Sequence, residues 1–72
     1  MAMITIYDEV LVPFISLKKG TYFKSESGSE YKIIEMGKPR VKKIINSKAS
    51  PQSVYMKNYE DLSVYVGKRV KD

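Results

Sequence analysis

The chain contains no cysteine, no histidine and no tryptophan. The first absence excludes disulfides and thiolate metal sites, and the second removes the commonest metal ligand and the commonest general base. No apolar run approaches the roughly 20 residues of a membrane-spanning helix. Nothing near the start reads as a signal peptide, because the first lysine is Lys18 and the early apolar stretch is broken by Asp8, Glu9 and Pro13. A chain of 72 residues sits near the lower size at which one hydrophobic core suffices, so a single domain over 1–72 held by packing alone is expected. Small secreted domains usually carry disulfides, which makes a reducing, cytoplasmic setting the expectation here.

What is present is apolar residues at 43%, six Tyr and two Phe, the composition of a folded chain rather than a disordered one. Three β-branched, aromatic-rich runs, Tyr31–Met36, Val41–Ile45 and Val54–Met56, are separated by Gly37-Lys38-Pro39 and by the polar stretch 46–53, which contains Pro51. This is the pattern of an antiparallel meander with a long irregular loop before its third strand. Within it the apolar alternation slips. Ile33 and Ile34 place an apolar residue on each face, and Val41 and Ile45 oppose Ile44, as expected of a strongly bent sheet with bulges.

Upstream, the segment 4–17 is the most apolar of the chain, and Pro13 in its middle argues against a helix and for an extended segment that bends there or lies on an edge. Lys18-Lys19-Gly20 reads as a turn, Thr21–Lys24 as a short strand, and Glu26-Ser27-Gly28-Ser29 as a hairpin connection. Downstream, Asn58 reads as an N-cap ahead of Glu60 and Asp61, predicting one 3-10 or α turn over Tyr59–Leu62. A last strand to Gly67 is favoured over a continued helix, whose stripe would be Tyr59, Leu62, Val66 and Val70, and 68–72 reads as a loosely held tail. The expected core is Ile33, Val41, Ile45, Val54, Met56, Leu62 and at least two of Val10, Val12 and Phe14.

This order of parts resembles the SH3-like small β-barrels, the group that includes KOW and Tudor-type modules. The resemblance lies in the Lys-Gly-Thr-Tyr-Phe run, the two middle strands, the short strand 54–57 and the single turn before a last strand, over residues 17–66. It implies a mainly β fold, a barrel of about five antiparallel strands. The acidic cluster and Trp-Trp pair of proline-peptide-binding SH3 domains are absent, so that activity is not implied.

Catalysis finds little to stand on. The only acidic pairs, Asp8-Glu9 and Glu60-Asp61, are adjacent in sequence and do not converge on one point, and no glycine-rich phosphate loop is present. A non-enzyme with no metal or other cofactor is expected. Charge points instead to binding. Residues 1–36 carry four basic and five acidic side chains, −1, and residues 37–72 nine and three, +6, together the net +5 of the chain. Between Glu35 and Glu60 there is no acidic residue.

A block of one sign in so small a domain makes a positive face that attracts polyanions. Lys38, Arg40, Lys42, Lys43, Lys48 and Lys57 are the candidate contacts, with Tyr31 and Tyr55 as exposed stacking surfaces for nucleic acid, DNA or RNA. The alternative is a small protein-binding inhibitor or adaptor, such as phages and other mobile elements encode, docking on an acidic protein surface. Two arginines against eleven lysines favour it, since arginine is the usual reader of base edges.

Overall fold

The computed structural model describes residues 3–46 and 48–71. Six antiparallel strands form one open sheet in the order β1-β6-β2-β3-β4-β5. They are β1 (Met3–Pro13), β2 (Tyr22–Lys24), β3 (Glu30–Glu35), β4 (Arg40–Ile45), β5 (Lys48–Tyr55) and β6 (Ser63–Lys71). Two 3-10 turns, Phe14–Ser16 and Tyr59–Asp61, complete the described elements. The mainly β expectation holds, with one strand more than expected and a sheet that does not close.

β1 is an edge strand that ends at Pro13, where the chain turns. Its missing N–H costs no ladder bond at a strand end. The 3-10 turn that follows drops Phe14 beneath the sheet, and the Phe14 amide donates to the Leu62 carbonyl at 2.8 Å beside the second 3-10 turn. Asn58 precedes that second turn in the left-handed conformation, φ 55°, and makes no side-chain cap. Asparagine is there because it tolerates that backbone rather than because it caps the turn.

The fully buried core is Phe14, Phe23, Ile33, Val41 and Val64, with Leu17, Tyr31, Met36, Met56, Tyr59 and Leu62 packed around it. Phe14 meets Phe23 edge-on at 5.3 Å between centroids, and Phe23 stacks on Tyr31 at 5.3 Å. Aromatic contacts of this kind add about 0.5–1.5 kcal/mol each to area burial.

Three core expectations change. Ile45 is 57% exposed whereas Ile44 is 8% exposed, because the β4–β5 register shifts between Lys42 and Ile44 and the phase of burial shifts with it. Val54 stands opposite Val41 yet is 54% exposed, since β5 is the sheet's other edge. Of Val10, Val12 and Phe14 only Phe14 is buried, Val12 being half-buried and Val10 standing exposed in the irregular stretch between Tyr7 and Leu11. Phe23 and Val64 enter the core in their place. The slip at Ile33-Ile34 is a real irregularity, for the β3–β4 register shifts between Ile33 and Glu35.

Two segments are more regular than the sequence suggests. The stretch read as a long loop is largely β5, which pairs back on β4 so that Ile45 faces Lys48, with Asn46 at φ 53°. The stretch read as a tail continues β6, where Lys68, Arg69, Val70 and Lys71 pair with Ile6, Thr5, Ile4 and Met3. Gly67 does not stop the strand. A Cβ there would lie 2.5 Å from Tyr7 Cε1 and 2.8 Å from Thr5 Cγ2, so the glycine makes room for the Tyr7 ring to lie across β6.

Candidate functional site

One row of cross-strand partners runs through all six strands: Tyr7 on β1, Gly67 on β6, Tyr22 on β2, Lys32 on β3, Lys42 on β4 and Ser53 on β5. Directly opposed residues share a face of an antiparallel sheet. Their chain neighbours Phe23, Ile33 and Val41 are buried in the core, so period-two alternation puts the row on the opposite, outer face. A shorter row beside it carries Leu11, Tyr65, Lys24 and Glu30.

Cations sit over rings along this face. Lys24 Nζ lies 5.0 Å from the Tyr7 centroid and 5.9 Å from that of Tyr65. Tyr22 is approached by Lys32 Nζ at 5.4 Å and by the Arg69 guanidinium at 5.1 Å. Arg69 Nη1 also donates to Thr5 Oγ1 at 3.3 Å. Each such contact holds a long cationic side chain against an aromatic surface, worth about 0.5–1 kcal/mol when exposed.

At the β1 end Tyr7 donates its hydroxyl hydrogen to Glu30 Oε1 at 2.7 Å. Burial first, and then the hydrogen bond and negative charge of Glu30, hold the Tyr7 phenol well above its ordinary value of 10.0. Next to it a cleft of about 500 Å³ lies between β1 and the β2–β3 hairpin, lined by Tyr7, Asp8, Glu9, Lys24, Glu26 and Tyr65 among others. This end of the outer face is acidic at its rim. Toward β4 the sign reverses. Lys32 and Lys42 stand directly opposite one another, an arrangement of like charges that destabilises a sheet, and Glu30, two positions before Lys32, is engaged by Tyr7.

The candidate contacts from the sequence divide among several places. Lys42, Arg40 and Tyr55 lie on the outer face, Arg40 opposite Tyr55 and tied to Ser53 by Nε to Oγ at 3.1 Å and Nη2 to O at 3.2 Å. Lys43 pairs with Tyr31 on the core side of the sheet and remains exposed. Tyr31 itself is half-buried and stacked on Phe23, so it is a core ring rather than the open surface expected of it. Lys38, Lys48 and Lys57 are exposed at the ends of strands and in turns, away from the row.

Sequence reading missed Tyr7, Tyr22, Tyr65, Lys24, Lys32 and Arg69. For Tyr22, Lys24 and Lys32 a signal existed, since they alternate with Phe23 and Ile33 and must face away from whatever those bury. For Tyr7, Tyr65 and Arg69 it did not, because their place depends on β1 and β6 meeting from opposite ends of the chain. No family model, curated protein or solved structure was found to match the chain.

Proposed function

We propose that the protein is a non-enzymatic nucleic-acid-binding module whose contact surface is the outer face of the sheet. The observation that carries this reading is the Lys32–Lys42 pair: two lysines at directly opposed positions on neighbouring strands concentrate positive charge on one face, an unfavourable pairing that a bound anion relieves. A phosphodiester backbone supplies such anions at regular spacing, and their neutralisation releases counterions. The tyrosines and cations around the pair supply the mixed surface that nucleic-acid backbones and bases engage.

The test is charge reversal in a folded variant. Lys32→Glu/Lys42→Glu should abolish binding to a nucleic-acid oligonucleotide while leaving a β-sheet circular dichroism spectrum intact, and undiminished binding would refute the assignment.

A second reading, the protein-binding adaptor, is favoured by β1. That edge strand exposes Ile4, Ile6, Val10 and Leu11, apolar surface of the sort protein partners cover. A pull-down with and without nuclease separates the two, since a partner bound through nucleic acid disappears on digestion and one seated on β1 does not.

A further inference from the structure

Resting on the nucleic-acid reading, we infer that the ligand is a single strand that crosses the β-strands of the outer face, with one base on Tyr22 and its backbone between Lys32 and Lys42. Three observations converge on this. First, the surface has two aromatic rings separated by cations: Tyr22 on β2 and the exposed Tyr55 on β5, with Lys32, Lys42 and Arg40 between them. Three strand spacings of about 4.8 Å and the two residues from Ser53, the row's member on β5, to Tyr55 put the two tyrosine positions about 16 Å apart. A chain that presents phosphates and unpaired bases in alternation can use both kinds of group. A duplex offers this face phosphates alone, its base faces being stacked inside.

Second, the chemistry for reading a duplex is thin. Of the two arginines, Arg40 is hydrogen-bonded to Ser53 and Arg69 is held on Tyr22 and Thr5. No helix longer than a single 3-10 turn is present among the described residues to enter a major groove. Stacking is tolerant of sequence because every base has a π face, so the strand is bound with little sequence preference. Third, the acids set the limit of the path. Asp8, Glu9 and Glu26 rim the cleft at the β1 end and repel phosphate, which confines the strand to the region from Arg69 and Tyr22 toward β4 and β5. Lys32 exchanges its place over the Tyr22 ring for a phosphate as the base arrives.

Fluorescence anisotropy with the full chain tests this, using a labelled mixed-sequence single-stranded DNA, the same sequence as duplex, and inorganic polyphosphate as competitor. The single strand should bind at least tenfold tighter than the duplex and resist displacement by polyphosphate of equal charge. Tyr22→Leu should weaken it by roughly 5- to 150-fold, the range of one lost base stack, while Tyr22→Phe retains it. Tyr55→Ala, at an exposed position on the edge strand, should also weaken the single strand and leave the duplex unchanged. Duplex binding as tight as single-strand binding, or tyrosine variants without effect, would overturn the inference while the nucleic-acid reading stood. Failure of all three polyanions to bind would overturn both.

Discussion

At Gly67 a methyl group would have to share space with the Tyr7 ring, 2.5 Å away, and with the Thr5 methyl at 2.8 Å. Gly67→Ala should therefore cost about 1–3 kcal/mol, as overpacking does, and a denaturant melt that leaves the midpoint in place would show that Tyr7 can move aside freely. Tyr7 itself links stability to pH. Its phenol is raised above 10.0 in the folded state, so the stabilisation it gives is complete below pH 10, where the unfolded chain also holds the proton, and is lost as pH rises beyond that. Tyr7→Phe should cost about 0.5–1.5 kcal/mol near neutrality and should lose less than the parent between pH 10 and 12. Parallel stability curves for the two proteins in that window would contradict the Tyr7–Glu30 contact. Ile44 and Ile45 make a paired test of burial. Ile44→Ala should cost about 2–5 kcal/mol and Ile45→Ala less than about 1 kcal/mol, and the reverse order would show that the register shift after Lys42 is misplaced.

At the scale of elements, legibility followed local pattern. β2, β3 and β4 were readable because β formers alternate over a core face and are punctuated by Gly28, Gly37 and Pro39. The irregular pairing around Ile34 was readable too, from two adjacent isoleucines that cannot both face one side. Of β5 only the end at Val54 and Tyr55 was readable, since Lys48 to Ser53 contains poor strand formers and Pro51; an edge position makes this tolerable, because one side of the strand needs no ladder partner. β6 was cut short in the reading because Gly67 looked like a stop and the residues after it like a solvated end. Only the long-range pairing with β1 explains both. Deleting residues 68–72 should accordingly lower the melting temperature measurably, since it leaves Met3 to Ile6 without the partners they have in β6. Under the tail reading the deletion would be silent.

For the whole molecule, charge asymmetry was legible before any fold was known, but its location was only half so. The basic run 37–57 contributes Arg40 and Lys42 to the outer face and scatters Lys38, Lys43, Lys48 and Lys57 elsewhere, while Lys24, Lys32 and Arg69 come from outside the run. A surface assembled from five strands cannot be read from one stretch of chain. The open sheet leaves two edges, and each is blunted: β1 by the irregular stretch with Asp8 and Glu9, β5 by Pro51 and Lys48. The most direct test of the account is the salt dependence of single-stranded DNA binding, measured for the parent chain and for Lys32→Gln/Lys42→Gln. Each lost phosphate contact lowers the slope of log K against log salt by about 0.7 for a single strand, so the double variant should show a slope shallower by about 1.4. An unchanged slope would contradict the claim that this pair of lysines holds the backbone.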